Sequence, residues 1–549
     1  MTAPEVHRAE AYRPVESASA VVGGRGAPEQ PSARRRLLLA ASGAAAGGLI
    51  AGCAAPRFGG APPAAENPFT LGVASGYPAP GSVVLWTRLA PDMESGEPAL
   101  PAAVPVRWEI AGDEAMRHTV ARGKVDAVAD SAHAVHVEVS GLKPGHWYWY
   151  RFTAQGHRSR TGRTRTLPEA ESAVSRLRLG IASCQNHEHG FYAAYRHLVA
   201  DQPDLVVHLG DYIYEGTWGQ NLVRPLGLGE AQTLSEYRAR HALYKRDPDL
   251  QDAHAMFPWV MVWDDHEVSN DYAGANAERI VPREAFLKRR AAAYQAYFEH
   301  MPMPRRMMPA GPDMRIYTSM RIGSLATLYL VDHRQYRNPQ ACPPPGRGGA
   351  TTVVATQCQE LQDPTRSVLG WDQEHWLDEE FSRSSTPWNL LAQQTLMAPL
   401  TVPGREEAPS RVRTDGWDGY PPARKRLLDS MTGRRLRNPI VMGGDLHAFY
   451  VADLRSGEAS ASAVVASEFV GTSITSQAAQ QGYYDRLKAV NPHIHHADGT
   501  QRGYLRMTLT TSRLDADLMG LDDVRLADSK ISRQAGFVVE AGRPGPVPA

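Results

Sequence analysis

Six apolar runs in this chain each end on a cluster of polar residues, and this arrangement narrows the folds that the chain can adopt. The runs are nearly continuous, for example LVVHLG before Asp211 and PIVMGG before Asp445. Continuous apolar runs of this length are typical of strands that are covered on both faces. Open α/β sheets bind ligands beyond the carboxyl ends of such strands. The clusters therefore predict one site at a sheet edge, built from Cys184, Asn186, Asp211, Tyr214, Glu215, Asp264, Asp265, His266, Asn270, Asp332, Gln393, Asp445 and His447.

The residue types in these clusters are those of a metal site. Carboxylates, imidazoles, amides and phenols bind or orient oxygen-loving and borderline cations, whereas a thiolate selects iron, zinc or copper. Taken alone, Cys184 is a small buried hydrophobic residue, and a single Asp after a strand is a turn or a helix N-cap. The co-occurrence favours a site, because Asp445 and His447 lie on the same side of an extended segment and Asp265-His266 forms a second cluster. The mixed ligand set predicts more than one kind of metal.

Several segments together carry a resemblance to a known family. The segments are SCQN, HLGDYIYE, DDHEVSN, LVDHRQYR, NLLAQQTLMAP, DGWDGYPPAR and GGDLHA. In the order, spacing and flanks of these segments, residues 68–545 resemble the PhoD-like alkaline phosphatases, within the calcineurin-like metallophosphoesterase class. Commoner members of that class open with Asp-x-His and close with Gly-His-x-His. This chain instead has Cys184 in the first cluster and a Gly-Asp-Leu-His run ending at His447, as the PhoD branch does.

Two positions depart from the family pattern. Asp271 follows Asn270, where a second Asn is frequent, and residues 187–189 read His-Glu-His in place of a stretch that contains Gln or Tyr. The second departure falls on the predicted rim of the pocket. It therefore bears on the choice of substrate.

The resemblance implies a ferric ion, Fe3+, with calcium, Ca2+, beside it. A phenolate and a thiolate both stabilise a highly charged cation and must lose their protons to bind it. Paired metals roughly 3.5–4 Å apart stabilise the attacking and leaving oxygens of an in-line displacement, so the implied reaction is hydrolytic phosphoryl transfer. The positions that match the iron ligands are Cys184, Asp211, Tyr214, Asp445 and His447, and those on the calcium side are Asp265 and Asn270, with Asp211 as the bridge.

The residues expected to act in catalysis are Asp211, Asp265, His266 and Asn270. His266 and Asp264 are either further ligands or residues that orient the ligands. The sequence leaves both roles open.

The alternation of elements predicts an α/β chain with added β structure. In residues 67–167, apolar and polar residues alternate between regular turns, which is typical of an antiparallel sandwich and resembles a fibronectin type III domain. In residues 175–549, strands alternate with helical patterns, and strand-like runs after Gly503 predict a terminal meander. The family resemblance implies that this second region is a four-layer αββα metallophosphoesterase sandwich.

Residues 1–53 have the pattern of a twin-arginine (Tat) export signal. Arg34 and Arg35 precede an apolar, small-residue stretch that is too short and too rich in Gly and Ala to predict a membrane span. The competing interpretation is a basic cluster next to an Ala-rich helix. Residues 50–53 match a lipoprotein box that would lipidate Cys53 and attach the chain to a membrane, whereas a small-residue cleavage site before Pro56 is the alternative.

This export pattern has consequences for the partners and the location of the chain. We expect the Tat translocase as a partner during export, and a mature protein in the periplasm or at the cell surface. Residues 54–66, rich in Pro and Ala, are expected to form a linker. Cys342 and Cys358 flank a Pro- and Gly-rich segment, which in an exported protein predicts a disulfide, with two reduced thiols as the alternative.

The overall charge gives no electrostatic case for a nucleic-acid partner. Lys plus Arg and Asp plus Glu both number 59, so the formal net charge is zero. Attraction of a phosphate group must then come from the metals and from local cations. The candidates near the family segments are Arg334, Arg337, Arg424 and Lys425, each of which equally fits a solvent-exposed face.

Three functions compete at this stage. The first is an exported phosphatase that acts on phosphomonoesters and phosphodiesters. The second keeps the same metals but is a phospholipase D-like phosphodiesterase that acts on phospholipid head groups. The third is a non-catalytic surface lipoprotein that binds ligands through its sandwich. The presence of every expected ligand argues against the third.

Overall fold

The apolar runs that dominate the sequence form the central strands of the structure. The computed structural model describes residues 67–90, 100–403, 409, 411–457 and 462–549. The predicted export signal, Cys53 of the lipoprotein box and the linker of residues 54–66 lie outside this part of the chain. Among the described residues, no helix is both long enough and apolar enough to cross a membrane.

The first strands are short and follow one another at regular turns. They are β1 (Val73–Ala79), β2 (Ser82–Arg88), β3 (Ala103–Ala111), β4 (Thr119–Val128), β5 (Ala134–Ser140), β6 (Trp147–Ala154), β7 (His157–Arg158) and β8 (Gly162–Arg165).

The strands then alternate with helices. The strands are β9 (Leu177–Ala182), β10 (Leu205–His208), β11 (Pro258–Met261), β12 (Thr318–Ile322), β13 (Ala326–Leu330), β14 (Thr352–Val354), β15 (Trp388–Ala392), β16 (Arg411–Arg413), β17 (Pro439–Gly443), β18 (Phe449–Arg455), β19 (Val464–Val470), β20 (Ile494–Asp498), β21 (Gly503–Leu509), β22 (Arg513–Leu521), β23 (Ile531–Glu540) and β24 (Arg543–Pro548). The α-helices are α1 (Ala193–Asp201), α2 (Leu234–Lys245), α3 (Pro248–Met256), α4 (Arg283–His300), α5 (Trp371–Arg383), α6 (Pro421–Gly433) and α7 (Gln481–Val490). Short 3-10 helices span Ala129–Ser131, His187–His189, Arg305–Met307, Ala355–Gln357, Gln359–Gln362 and Trp417–Gly419.

Two large sheets pack across the main core. The first has the strand order β24-β23-β22-β21-β9-β10-β11-β1-β2-β5, and the second has the order β12-β13-β15-β17-β19-β18-β20. Val207 of the first sheet and Leu330 of the second belong to one buried cluster, as do Tyr195 of α1 and Tyr294 of α4. Helices α5 and α6 share a separate cluster with the second sheet. This is the α/β layering that the sequence predicts.

The N-terminal strands form a β-sandwich, one half of which belongs to the first large sheet. A five-stranded sheet (β4-β3-β6-β7, with β8 on β6) packs its apolar side chains against those of β2 and β5. Strand β1 pairs in parallel with β11, with Ser75 opposite Pro258. The predicted antiparallel N-terminal β region is therefore present, and its sheet continues into the α/β region. The boundaries placed at 167 and 175 stay a prediction.

A disulfide joins Cys342 to Cys358, as predicted. Its half-cystines lie in a small apolar cluster with Ala341 and Leu361. Cys184, in contrast, is a free and buried thiol.

The topology brings the six polar clusters to one place. Strands β9, β10 and β11 run parallel to one another in the first sheet, and β13, β15 and β17 do so in the second. Polar clusters follow the carboxyl end of each of these strands. Because the two sheets pack face to face, the clusters meet at their common edge.

Candidate metal centre

Several of the predicted ligands lie on tight turns directly after their strands. Cys184, Asp211, Asp445 and His447 all adopt left-handed backbone conformations, with φ of 57°, 55°, 63° and 54°. Such conformations cost non-glycine residues about 1 kcal/mol or more each and concentrate at functional sites. The turns direct the side chains into the space between the sheets, which a continuing strand would not do.

One group of side chains, here called the cysteine group, consists of Cys184, Asp211 and His447. A thiol sulfur, a carboxylate oxygen and an imidazole nitrogen from these residues lie within 4.8 Å of one another. Tyr214 adds a phenol, since its Oη lies 2.9 Å from Asp211 Oδ2 and 3.2 Å from His447 Nε2. The structure therefore brings together four of the five predicted iron ligands.

The orientation of His447 fixes the nitrogen that it offers. Its Nδ1 lies 2.7 Å from the carbonyl oxygen of Gln477, which can only accept a hydrogen bond, so Nδ1 carries the proton. The lone pair is then on Nε2, the nitrogen next to Tyr214 Oη. Metal-binding histidines are commonly held in this way by a carbonyl at the other nitrogen. Burial lowers the pKa of His447 to about 3, which keeps the ring neutral.

A second group, the carboxylate group, consists of Asp211, Asp265 and His266. Their ligand atoms also lie within 4.8 Å of one another, and Asp211 belongs to both groups. His266 Nδ1 lies 2.7 Å from Glu215 Oε2, which leaves Nε2 available to the centre. Glu215 in turn accepts a hydrogen bond of 2.6 Å from the backbone N–H of Asn270.

Asn270 and Asp445 lie at the edge of these groups. The Asn270 amide donates to Glu278 Oε2 at 3.0 Å, which turns its nitrogen away and leaves Oδ1 as the atom that can bind a cation. Asp445 is partly buried, and its Oδ2 accepts a hydrogen bond of 2.7 Å from Thr395 Oγ1. Among the described residues, Asp445 is not part of the two groups of three. Their roles as ligands stay predictions.

The electrostatics of the site fit a cation. Burial raises the pKa of Cys184, Asp211 and Tyr214 well above their ordinary values, and the charge of His266 offsets only part of this shift at Asp211. Asp211 Oδ1 and Asp264 Oδ2 are buried, and among the described residues they have no hydrogen-bond partner. Unpaired buried carboxylate oxygens are costly. A metal ion would supply the missing charge and the missing ligand bonds.

Arg334 is not a phosphate-binding or solvent-exposed residue, contrary to both sequence interpretations. It is 1% exposed, and its Nε donates to Asp264. Its two terminal nitrogens donate to the carboxylate of Asp415 at 3.1 and 2.9 Å. Arg337 is buried beside it, 3.5 Å from the same carboxylate. These arginines neutralise the acidic side chains behind the centre, so they cannot attract substrate.

Replacing Arg334 with Met should lower the free energy of unfolding by about 3–5 kcal/mol, the usual cost of breaking a buried ion pair on one side. The Asp264 and Asp415 carboxylates would remain buried without their partner. Urea unfolding of the metal-free protein measures the change. Arg513→Met is the matched control, because Arg513 pairs with Asp515 at the surface and such pairs contribute about 0–1 kcal/mol. Equal losses of unfolding free energy in both variants would contradict a buried ion pair at Arg334.

Two residues support the site without belonging to the predicted ligand or catalytic residues. Glu267 accepts hydrogen bonds from the backbone N–H groups of Asp211, Tyr212 and Asp264, and so joins two of the ligand turns. Ser476 donates to the Cys184 carbonyl at 2.8 Å. Glu267 directly follows His266, so the sequence already places it in the second predicted cluster. Ser476 lies in a Ser- and Thr-rich loop that gives no signal of its own.

Comparison with known proteins decides the family. A family model described as "PhoD-like phosphatase" matches residues 179–518, and one described as "PhoD-like phosphatase, N-terminal domain" matches residues 52–168. The chain belongs to the PhoD-like phosphatase family. It is 42% identical over 503 residues to alkaline phosphatase D of Bacillus subtilis (strain 168), which covers 90% of this chain and 83% of that protein. A solved structure described as "Structure of PhoD" matches with a TM-score of 0.83 and 42% identity, over 89% of this chain and 93% of the other.

Membership in the PhoD-like family settles the class of reaction. The chain is a phosphoric ester hydrolase with alkaline phosphatase function, and its substrates are phosphate esters. The match to a solved PhoD structure likewise confirms the α/β metallophosphoesterase fold with an N-terminal β domain. The alternative of a non-catalytic binding lipoprotein is set aside.

Proposed function

We propose that this PhoD-like phosphatase is exported from the cytoplasm and hydrolyses phosphomonoesters and phosphodiesters at a centre of Fe3+ and Ca2+. The observation that carries the proposal is that Asp211 belongs to two groups of different chemistry. The cysteine group offers a thiol, an imidazole and a nearby phenol, whereas the carboxylate group offers harder oxygen ligands. One carboxylate shared between two such groups supports a bridge between two unlike metals.

The residues that would hold the iron are Cys184, Asp211, Tyr214, Asp445 and His447, and those that would hold the calcium are Asp211, Asp265 and Asn270. Metals held there would acidify a bound water and stabilise the attacking and leaving oxygens of phosphoryl transfer. The protein contributes the orientation. Gln477 sets the tautomer of His447, and Glu215 holds His266 so that its Nε2 is available to the leaving oxygen.

The proposed metals predict the metal content of the protein and the effect of a calcium chelator on its activity. Protein matured through its own export route should contain iron and calcium, and a calcium chelator should abolish activity while the iron stays bound, because oxygen ligands release calcium more readily than a thiolate releases iron. Added calcium should restore turnover. Elemental analysis before and after chelation, together with an activity assay, measures both effects. Active protein with zinc alone would contradict the proposal.

The preference of the enzyme for phosphomonoesters or phosphodiesters can be measured directly. Turnover of a phosphodiester and of a phosphomonoester by the same preparation gives their ratio. A dominant activity on diesters, phospholipids included, would favour the phospholipase D-like alternative.

Export is supported by the paired arginines of the sequence. A Tat receptor reads Arg34 and Arg35, and Arg36 can let the motif shift by one residue. Replacing all three arginines with Lys should leave folded, iron-containing precursor in the cytoplasm, so that activity outside it falls to background. Cell fractionation followed by activity and iron measurements tests this. Undiminished activity outside the cytoplasm would show a different export route. Mass analysis of Cys53 separates a lipidated mature form from a soluble one.

A further inference from the structure

The segment His187–His189, where the chain departs from the family pattern, contacts the loop next to the metal centre. This loop, here called the rim loop, comprises residues 216–231 between Glu215 and α2. His189 Nε2 donates a hydrogen bond of 2.8 Å to the carbonyl of Trp218 in the rim loop. His189 Nδ1 accepts a hydrogen bond of 3.1 Å from the backbone N–H of Gln477. One neutral imidazole thus joins the rim loop to the segment that orients His447.

Glu188 holds the other half of the rim loop. Its carbonyl accepts hydrogen bonds from the backbone N–H of Val223 at 2.6 Å and of Arg224 at 3.3 Å. Its Oε1 accepts from the backbone N–H of Leu226 at 3.3 Å and from Thr217 Oγ1 at 3.3 Å. Because the rim loop has no helix or strand of its own, these contacts are a large part of what fixes its course.

Gly219 shows how closely the rim loop is held. Its φ is +88°, and a Cβ at this position would lie 2.5 Å from His189 Nε2 and 2.9 Å from Gln477 Oε1. Gln477 Oε1 also accepts a hydrogen bond of 3.1 Å from the next residue, Gln220. Only glycine allows the loop backbone to approach these two side chains.

The result of this anchoring is the position of Trp218. Its ring stacks on the His447 imidazole, with centroids 5.6 Å apart and an interplanar angle of 16°. It also lies 5.9 Å from the Tyr214 ring, and His189 meets it edge-on at 4.4 Å. The indole is half-buried. It therefore forms a partly exposed aromatic wall immediately beside two of the proposed ligands.

We propose that Trp218 is a specificity-determining residue that contacts the leaving group of the ester, favouring flat, aromatic leaving groups, and that His189 is the positioning residue that holds Trp218 there. The inference rests on the proposed function, because it places the phosphate at the metal centre. Many different aromatic groups stack favourably on an indole, because each has a flat π face. Trp218 thus favours aromatic leaving groups as a class and does not distinguish one compound from another.

Two measurements test the proposal. Trp218→Ala should raise KM for 4-nitrophenyl phosphate roughly tenfold and leave KM for glycerol phosphate unchanged within about twofold. Trp371→Ala, which removes a half-exposed indole on α5, is the matched control and should change neither KM. An equal rise for both esters in Trp218→Ala would overturn the role of Trp218.

Hydrogen exchange tests the role of His189 without any activity. In His189→Ala, backbone amides of the rim loop should exchange at least several-fold faster, and His189→Gln should restore slow exchange because its amide can both donate and accept. His197→Ala is the matched control, since His197 bonds the Ser529 carbonyl away from the rim loop. Unchanged exchange in His189→Ala would overturn the positioning role. Amide exchange of the rim loop and the ratio of the two KM values do not depend on which metals are bound. A wrong iron–calcium assignment can therefore be distinguished from a wrong role for Trp218 or His189.

Discussion

Asp211→Asn is expected to lower kcat/KM by roughly 10³-fold or more, because metal ions contribute several kcal/mol of transition-state stabilisation and this variant disturbs both proposed metal sites at once. Asp211 is the residue common to the cysteine and carboxylate groups. An amide keeps the shape of the side chain but loses the negative charge and one of the two oxygens. The fold should survive, since a neutral side chain is cheaper to bury than an unpaired carboxylate.

The measurements for Asp211→Asn are activity, iron and calcium content, and circular dichroism. Asp252→Asn is the matched control, because Asp252 is half-exposed and pairs with Arg160 at the surface. It should retain full activity and full metal content. Loss of activity in Asp211→Asn with both metals still bound in full would contradict a bridging role and leave Asp211 with a catalytic role alone.

The second large effect is expected for Cys184. Ferric iron bound by a thiolate and a phenolate gives a ligand-to-metal charge-transfer band and a visible colour. Cys184→Ala should lose this colour and most of the iron, and turnover should fall by at least a hundredfold, since even partners of metal ligands are worth 10–100-fold. The domain should stay folded, because Cys184→Ala removes only one sulfur atom from a buried side chain. Visible absorption, iron content and thermal unfolding test each part.

Two tyrosines provide the control for the colour. Tyr214→Phe should shift or remove the phenolate contribution to the band. Tyr212→Phe, two residues earlier, should leave it intact, because Tyr212 Oη bonds His254 Nε2 in the core. Full turnover in Cys184→Ala would mean that this residue serves only packing.

The central strands and the site were predictable because the signals are local. The runs before Asp211 and Asp445 are apolar except for His208, so burial on both faces follows from the residues themselves. Their polar ends then coincide, since parallel strands end at one edge. Convergence of Cys184, Asp211 and His447 thus needed only the right order of elements.

Partners distant in the chain were not predictable. Arg334 meets Asp415 across a separation of 81 residues, and no local pattern distinguishes a buried ion pair from a solvated one. The parallel pairing of β1 with β11 likewise depends on tertiary packing rather than on the alternation within β1. The role of residues 187–189 was visible only as a departure from the family pattern, because their hydrogen bonds go to the rim loop.

The continuous first sheet has a consequence for the order of events during synthesis. Strand β1 leaves the ribosome early, but its parallel neighbour β11 follows only after β9 and β10 have been made. Until then β1 has one antiparallel neighbour, β2, and the apolar side of the N-terminal sheet lacks its full cover. Pairings that span so much of the chain form slowly. The N-terminal strands therefore reach their final pairing only after β11 has been made.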